Sequence, residues 1–377
     1  MKKPNAVHGP TWLEVDLSAL GANVRALQNQ VGRNTQLMAV VKADGYGAGI
    51  CECAQTALEN GATALSVSRI SEAITLRRYG IHAPILNMGY CSPEEIELLP
   101  EYNIIQAIHC LDLAECLSKS AIGAGCCVNI HVNMDTGMCR SGVPFEEAGV
   151  FFQSLFSLKN INLTGVFTHF PTADCEDKSF AEEQISRFRE IAKIVSATGF
   201  TNVVFHAANT AAVVDLPNSR FDMVRVGIGM YGLYGSRFVS RRVVLRPVCS
   251  LRSTVSNVHR VAAGTGVSYG LTYRAPAETI IATIQAGYAD GVDRRLSNCG
   301  AMLIRGRKYP IVGRVTMDQT MLNLGPQSDV CIGDVATIIG RDGREELLMD
   351  EVAEEIGTIA YELQCHIGTR VPRVYIQ

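Results

Sequence analysis

The chain has 377 residues, of which 47% are hydrophobic and 19% charged, and its formal net charge is −3. This balance lacks the basic excess of a nucleic-acid-binding protein, and no segment approaches the ~20 apolar residues that a membrane span needs. We therefore expect a cytoplasmic globular protein, bound to neither nucleic acid nor membrane and long enough for two domains. Its thirteen scattered cysteines show no C-x-x-C spacing, which indicates reduced, mostly buried thiols, and no metal site is expected.

Strand-like and helix-like segments alternate through the first 240 residues. After an opening strand over 12–15 and a helix over 18–30, eight apolar runs are expected to form strands: 37–42, 64–68, 84–88, 104–109, 127–135, 163–169, 203–207 and 223–227. Segments between them carry apolar residues at intervals of three and four, as in 51–60, 71–79, 92–99, 111–120, 145–156 and 179–198. Strict alternation predicts a parallel sheet, and eight units favour a closed (β/α)8 barrel of the TIM type over residues 14–240. An open, doubly wound sheet is the structural alternative.

Beyond residue 240 the pattern changes to strand-like runs that are interrupted by glycine and proline. We expect strands over 242–258, 279–285, 301–306, 319–324 and 335–340, and only residues 349–358 show clear helical spacing. A second, mainly β domain is therefore predicted from residue 241 to the end of the chain.

The expected barrel strands end in residues that can take part in catalysis or ligand binding. In such barrels the functional groups lie at the carboxyl ends of the strands, and phosphate often binds after strands seven and eight. The eight ends carry Lys42, Ser68, Met88, His109, Asp135, His169, His206 and Arg225, and they are followed by Asn209 and Thr210 after the seventh strand and by Gly227 and Gly229 after the eighth. A lysine across the barrel from a phosphate cradle suggests pyridoxal 5'-phosphate, held as a Schiff base on Lys42. The alternative is a strand-end lysine that carries only a solvated charge.

Nine segments in the same order resemble motifs of bacterial alanine racemases. They are VVKADGYGAG, MDTGMCRSG, THFPTAD, HAANTAA, MVRVGIGMYG, VSYG, GYADG, VGRVTMDQ and YELQC. Together they span nearly the whole chain, so the resemblance is specific. It implies a pyridoxal-phosphate barrel, a β domain built from residues 1–13 and 241–377, and a head-to-tail homodimer in which each active site is shared between two subunits.

By motif position the resemblance assigns two catalytic bases, Lys42 and Tyr269 of the other subunit. Two bases suit the chemistry, because inversion at Cα removes a proton from one face and returns one to the opposite face. A tyrosine with a reference pKa of ~10 needs cationic neighbours to act as a base at neutral pH. His169, Arg225 and His206 match the family's relay behind that tyrosine, and Arg225 would also face the pyridine nitrogen of the cofactor.

The resemblance assigns the remaining site residues by position. The cofactor contacts would be Lys42, Tyr46, Arg140, His169, Asn209, Thr210, Arg225, Gly227, Ile228 and Tyr361. The amino-acid substrate would be bound by Arg140, Met317 and Asp318, and its entrance would be lined by Asp174, Tyr288 and Arg294. Considered singly, each tyrosine would more often be a core residue, and each charge a solvated surface group.

Three departures from the family pattern stand out. Asn133 replaces a lysine that is carbamylated in many members and supports the neighbouring arginine, so we hypothesise a chloride or other small anion beside Arg140. Cys139 stands where glycine is frequent, and we expect a buried, inert thiol. Gly45 and Ala48 replace the more usual alanine and histidine of the lysine loop, and both changes should be tolerated.

The leading hypothesis is therefore interconversion of L- and D-alanine, which would supply D-alanine for peptidoglycan. Serine racemases share this scaffold and are the nearest alternative, since a pocket rejects one added hydroxyl only weakly. Related barrel decarboxylases pair the cofactor nitrogen with an acidic residue in place of Arg225. Small cofactor-carrier barrels lack the β domain and a residue equivalent to Tyr269.

Overall fold

The computed structural model describes residues 9–377, so the first eight residues of the predicted 1–13 segment lie outside the described part. The chain divides into two compact units. Residues 20–246 form the first, and residues up to 19 together with 247–377 form the second. The breaks fall a few residues after the predicted boundaries at 13 and 240.

The first unit contains a closed barrel of parallel strands. The opening strand of the chain, β1 (Thr11–Asp16), belongs to the second unit. The barrel strands are β2 Gln36–Val40, β3 Ala64–Val67, β4 Ile85–Asn87, β5 Ile104–Ile108, β6 Val128–Asp135, β7 Ile161–Phe167, β8 Val204–His206 and β9 Met223–Val226. Each is parallel to its neighbours, and β9 pairs with β2, which closes the sheet. The predicted TIM-type barrel is confirmed, and the open sheet is excluded.

Helices connect the barrel strands. Their bounds are α1 Leu17–Val31, α2 Ile50–Glu59, α3 Ile70–Arg78, α4 Leu98–Glu101, α5 Leu111–Gly123, α6 Ala148–Phe156, α7 Ser179–Thr198 and α8 Thr210–Asp215. The predicted helix over 92–99 is wrong in part, because that stretch holds only a 3-10 turn, Pro93–Glu95, and the start of α4. Pro100 has no amide hydrogen to bond the carbonyl of Ile96, which disfavours a continuous helix there.

Side chains from six of the eight strands meet in one buried cluster: Met38, Ala64, Leu86, Ala107, Phe167 and Met223. Large and small residues alternate from β2 to β5, and Phe167 and Met223 fill the other side, so the cluster forms a packed core and not a pore. The core fixes the strands against one another and thereby fixes the positions of the groups at their carboxyl ends.

The second unit is mainly β, as predicted. It contains β10 Cys249–Val261, β11 Thr279–Ile284, β12 Ala301–Ile304, β13 Arg307–Pro310, β14 Thr320–Gly325, β15 Val335–Asp342, β16 Glu345–Leu347 and β17 Arg373–Ile376, with helices α9 Met349–Glu355 and α10 Ala360–Cys365. The expected strand over 242–258 begins only at Cys249, because Pro247 cannot donate a ladder hydrogen bond. Helix α10 was not predicted.

The N-terminal strand is an integral part of this second sheet. β1 pairs antiparallel with β10 on one side and parallel with β17 on the other. Its Leu13 and Val15 are fully buried, while Trp12, Glu14 and Asp16 are partly exposed, so one face of the strand packs into the core.

The expectation of mostly buried thiols was wrong. Only Cys53, Cys91 and Cys249 are buried, and seven of the thirteen cysteines are exposed: Cys116, Cys127, Cys139, Cys175, Cys299, Cys331 and Cys365. Across residues 9–377, no helix combines the length and the apolar character needed to cross a membrane.

Candidate active site

Lys42 is separated from the end of β2 by one residue, Val41, and begins a turn of left-handed backbone. Four successive residues have φ between 54° and 62°: Ala43, Asp44, Gly45 and Tyr46. This conformation costs about 1–2 kcal/mol for each non-glycine residue, so the turn persists only because its surroundings hold it. Glycine at position 45 removes that cost at one of the four residues.

Tyr46 carries this turn into the region expected to bind phosphate. Its buried ring lies 5.1 Å from the ring of Tyr231, and its hydroxyl occupies the space that a Cβ atom on Gly227 would need. The hydroxyl oxygen of Thr210 accepts the N–H groups of Gly227 at 3.3 Å and Gly229 at 3.2 Å. The segments that follow the barrel strands β2, β8 and β9 therefore meet in one cluster.

Asn209 and Ile228 shape the backbone around this cluster. Asn209 caps α8, since its Oδ1 accepts the N–H of Ala212 at 3.1 Å, and its Nδ2 donates to the carbonyl of Phe170 at 3.3 Å. Ile228 is buried and begins a 3-10 turn that ends at Tyr231. Barrels of this kind bind phosphate with hydroxyl and amide groups at the ends of their seventh and eighth barrel strands, which are β8 and β9 here.

The guanidinium of Arg225 is buried in the barrel, with only 3% of the residue exposed. Its Nη1 donates to Nδ1 of His206 at 3.2 Å and to the carbonyl of the same residue at 3.0 Å. Its Nη2 donates to the carbonyls of Thr168 (2.8 Å) and Ala207 (3.2 Å) and to Nδ1 of His169 (3.1 Å). Five acceptors thus hold this cation in one orientation.

These bonds also define the tautomers of the histidines. A guanidinium has donors only, so His206 and His169 must each accept through Nδ1 and carry their proton on Nε2. Nε2 of His206 lies 2.9 Å from Nδ1 of His131, to which it donates in turn. His131 was not singled out in the sequence, although a histidine within the apolar strand β6 was an available signal.

Burial and positive charge keep the three imidazoles neutral at physiological pH. Burial, followed by the charge of Arg225, lowers the pKa of His131 to about 3. Burial, with Arg225, Arg140 and Lys42 adding to it, lowers the pKa of His169 to about 3. The pKa of His206 also lies well below its ordinary value, mainly through burial. Burial and repulsion from Arg140 lower the pKa of Arg225 to about 9, so its guanidinium stays charged at neutral pH.

The loop after β6 presents Arg140. Oδ1 of Asp135 accepts the N–H groups of Gly137 at 2.8 Å and Cys139 at 3.2 Å, which turns the backbone back on itself. Cys139 has a φ of 55°, a left-handed conformation that a glycine would adopt without strain. The thiol is exposed in this chain, so the expected burial of Cys139 was wrong.

Asn133 is tied to the same loop. Its Nδ2 donates to the carbonyl of Ser141 at 2.9 Å and to the hydroxyl of that residue at 3.2 Å. The side chain therefore supports the backbone next to Arg140 by neutral hydrogen bonds. Asp174, predicted at the substrate entrance, is partly exposed in the segment between β7 and α7.

Tyr269 projects from a turn of the second unit and is 73% exposed. The preceding residue, Ser268, has φ 62° and ψ −176°, a region that residues other than glycine rarely occupy, and Leu271 has φ 48°. The Ser268 hydroxyl donates to the carbonyl of Arg314 at 2.7 Å. A strained turn thus holds an aromatic hydroxyl on the surface of the chain.

Four of the six residues predicted to bind and admit substrate lie on this unit: Tyr288, Arg294, Met317 and Asp318. The N–H of Tyr288 donates to the carbonyl of Thr316 at 2.9 Å, and that of Ala289 to the carbonyl of Met317 at 3.1 Å. A Cβ on Gly287 would collide with the same two carbonyls, so only glycine allows the two segments to approach so closely.

Arg370 reinforces this contact and was missed in the sequence. It donates to both carboxylate oxygens of Asp290, at 2.8 and 2.9 Å, and to Oδ1 of Asp318 at 2.8 Å. Arg294 lines a surface pocket together with Tyr288, Gly291, Asp293 and His366. Tyr361 lies on α10 and is partly buried.

The barrel residues suit a phosphorylated pyridine aldehyde. Lys42 offers a primary amine for covalent attachment, and the cluster around Thr210 and Gly227 offers small groups and amides for a phosphate. Arg225 offers a buried cationic donor that could face a ring nitrogen. The fold and this donor set define the class of protein: a barrel enzyme that uses pyridoxal phosphate.

Comparison with known proteins gives the family. A model of the alanine racemase N-terminal domain matches residues 15–235, and a model of the C-terminal domain matches residues 248–375. The alanine racemase of Desulfosudis oleivorans is 44% identical, covering 97% of this chain and 96% of the relative. That of Methanococcus maripaludis is 40% identical, covering 98% of this chain and all of the relative. The chain belongs to the alanine racemase family of pyridoxal-phosphate-dependent isomerases.

Solved structures agree with this assignment. The alanine racemase from Bacillus anthracis with bound L-Ala-P has a TM-score of 0.92 at 38% identity, covering 99% of this chain and 96% of that one. A histidine racemase from Leuconostoc mesenteroides subsp. sake has a TM-score of 0.90 at 28% identity over the full length of both chains. The scaffold therefore also occurs in a racemase named for another amino acid.

Proposed function

We propose that the protein interconverts L- and D-alanine with pyridoxal phosphate carried on Lys42, and thereby supplies D-alanine for peptidoglycan. The observation that carries this proposal is the buried Arg225 guanidinium, fixed between His206 and His169. When bound, the cofactor supplies an electron sink that makes the Cα proton of an amino acid acidic. Because Arg225 can donate to the ring nitrogen but not protonate it, the sink is weakened, which favours proton exchange over decarboxylation or transamination.

Two residues of the chain would move the proton. The amine of Lys42 would serve one face of Cα, and the phenolate of Tyr269 from a second copy would serve the other. His169 carries its proton on Nε2, because Arg225 binds Nδ1, so it can donate a hydrogen bond to that phenolate. A hydrogen bond to the charged form lowers the pKa of a tyrosine, which a base with a reference pKa of ~10 requires.

The second unit would supply the substrate contacts. We assign the Met317 amide and Arg140 to the substrate carboxylate, with Asp318 beside them, and Asp174, Tyr288 and Arg294 to the entrance. The hydrogen bond from Ala289 to Met317 and the bond from Arg370 to Asp318 support this assignment, since both restrict the segment that would meet the carboxylate.

A homodimer with shared sites would complete each active centre. Four large side chains of the second unit are exposed in the single chain: Tyr269 (73%), Met317 (53%), Leu271 (50%) and Tyr288 (44%). Exposed apolar groups in such number favour contact with another protein surface. Mixing an inactive K42A chain with an inactive Y269F chain should restore activity, because one intact site can form in a mixed dimer. Failure to complement in demonstrably mixed dimers would argue against sharing.

We further propose a small anion, such as chloride, beside Arg140. The support is that Asn133 bonds Ser141 through its neutral amide and brings no negative charge to this loop. An anomalous-scattering map of bromide-soaked crystals tests the proposal. A peak next to the Arg140 guanidinium is expected, and its absence at saturating bromide would end this proposal.

A reducing, cytoplasmic location agrees with the cysteine content. Seven exposed thiols would be prone to oxidation outside the cell, where disulfides persist.

The substrate is tested by supplying L-alanine and L-serine separately and following the chiral products. We expect alanine to be preferred, because Tyr361 and Tyr269 would narrow the pocket around a methyl group. A hydroxymethyl group adds a single oxygen and is rejected only weakly, so a higher kcat/KM for serine would reassign the substrate while keeping the reaction.

Two variants test the chemistry. K42A should lose the borohydride-trapped cofactor adduct and all racemisation, because it removes the amine that would carry the cofactor. Y269F should keep the adduct and lose racemisation, because only the second base is removed. An adduct on a residue other than Lys42, or full activity of Y269F, would overturn the assignment.

A further inference from the structure

The turn that carries Lys42 is a short left-handed helix, and its hydrogen bonds follow the i to i−4 pattern. The N–H of Gly45 bonds the carbonyl of Val41, and that of Gly47 bonds the carbonyl of Ala43, both at 2.9 Å. The first amides of any helical turn have no acceptor within the turn itself. Such a strained turn needs an external acceptor at its start if it is to persist.

Glu72 supplies that acceptor. Its Oε1 accepts the N–H of Ala43, the residue after Lys42, at 2.6 Å. Its Oε2 accepts the N–H groups of Ser68 at 3.0 Å and Arg69 at 3.2 Å, where the backbone leaves β3 and enters α3. Glu72 is the third residue of α3, so one carboxylate caps a right-handed helix with one oxygen and the left-handed Lys42 turn with the other.

We propose that Glu72 is a positioning residue for Lys42. Strands β2 and β3 are neighbours in the barrel, with Val40 opposite Ser66, and Glu72 joins the loops that follow them. The bond to Ala43 fixes the peptide that leaves Lys42, and the direction of the lysine side chain depends on that peptide. This inference rests on the proposed function, in which Lys42 carries the cofactor.

A purely structural role would be the ordinary capping of α3, and the chain contains a matched control for that role. Oε2 of Glu95 accepts the N–H of Ser92 at 2.9 Å at the start of the 3-10 turn Pro93–Glu95. Glu95 therefore caps the start of a helical turn in another strand-to-helix connection. Comparing the same substitution at both positions separates loss of a cap from loss of the bond to Ala43.

The experiment uses E72Q and E95Q in the full-length protein. In E72Q the amide nitrogen cannot accept a hydrogen bond, so the carboxamide cannot serve both turns. Amide exchange at Ala43 and Asp44 in the cofactor-free protein should speed up in E72Q and not in E95Q. Cofactor dissociation into excess scavenger should be faster and kcat lower by ~10-fold or more in E72Q, with little change in KM, because a hydrogen bond to a charged group is lost.

E72D is the second variant, for the case in which E72Q does not fold. Aspartate at this position can still cap α3 but is one methylene too short to serve Ala43 as well. It should keep near-wild-type thermal stability while amide exchange at Ala43 remains fast. If both Glu72 variants exchange the Ala43 amide and release the cofactor at wild-type rates, the inference is wrong.

The outcomes are distinguishable from failure of the proposed function. If the wild-type protein forms the trapped Lys42 adduct but racemises neither alanine nor serine, the proposed function fails. The amide-exchange comparison still tests Glu72 in that case, since it needs no substrate.

Discussion

The two turns that carry the proposed bases are both strained but are held in different ways. The Lys42 turn is bonded to Glu72 on a neighbouring connection, and its last residue, Tyr46, is buried against Tyr231. The Tyr269 turn is bonded through Ser268 to Arg314, and its aromatic side chain is 73% exposed. The barrel thus orders its own functional groups within one chain, while the second unit presents a tyrosine outward.

This difference has an energetic meaning. Strain around Lys42 and the buried charge of Arg225 are offset by contacts that form when the barrel folds, so changes there should affect the stability of the chain. Changes at the Tyr269 turn should affect activity more than stability, because few buried contacts depend on it. The following predictions test this contrast.

The largest effect is expected from Arg225→Lys. Lysine keeps the charge but cannot reach all of the five acceptors that surround the guanidinium, and each buried acceptor left unsatisfied costs about 1–3 kcal/mol. We expect loss of racemisation and a clearly lower free energy of unfolding in urea. Arg220→Lys is the control, since Nη2 of Arg220 donates to the carbonyl of Val213. Equal stability of the two variants would show that the Arg225 network is not structural.

Acid should destabilise the barrel through its buried histidines. His131 and His169 have folded pKa values of about 3, well below the unfolded value of ~6.5, so the unfolded chain binds more protons in between. The contribution of these histidines to the free energy of unfolding is therefore fully present above pH ~6.5. It falls as the pH decreases, by about 1.4 kcal/mol per pH unit for each such histidine. Unfolding measured from pH 7.5 to 4.5 should show this slope, and His131→Gln should reduce it. A flat profile would contradict burial of neutral histidines.

Gly165→Ala should destabilise the barrel by a smaller amount. A Cβ there would lie 2.5 Å from Cε1 and 2.6 Å from Nδ1 of His131, so the ring must move and its bond to His206 is strained. Overpacking of this kind costs about 1–3 kcal/mol. Gly149→Ala on α6 is the control, because the added carbon meets nothing within 4 Å in residues 9–377 beyond its own helix backbone and chain neighbours. Thermal unfolding should give a lower melting temperature for Gly165→Ala than for Gly149→Ala. Similar melting temperatures would refute the predicted overpacking.

The smallest effect on stability is expected from Ser268→Ala. This change removes the hydrogen bond to the carbonyl of Arg314 at an exposed turn, which is worth about 1 kcal/mol or less. Racemisation should decline more than stability, because Tyr269 would be less well oriented. Ser268→Gly also relieves the positive φ and should be at least as stable as the alanine variant. A loss of stability in Ser268→Ala as large as that of Gly165→Ala would remove the contrast between the two regions.

Much of the architecture could be predicted because the signals are local. Each barrel strand was placed within about two residues of its observed bounds, since an apolar run flanked by helical spacing identifies itself over a short window. Lys42 and Arg225 could be selected for the same reason, because each lies at or near the end of such a run. The helix over 92–99 was wrong in part, because Pro100 has no amide hydrogen to continue it.

The remaining features depend on contacts between residues that are distant in the chain. The sequence by itself determined the order of strands and helices and the residue types at the strand ends. Only the tertiary structure decided that the sheet closes through β9 and β2, that His131 meets His206, that Glu72 reaches Ala43 and that most cysteines are not buried. Hydrophobic periodicity records which face of an element is buried, whereas closure, tautomers and left-handed turns follow from packing and hydrogen bonding among separate elements.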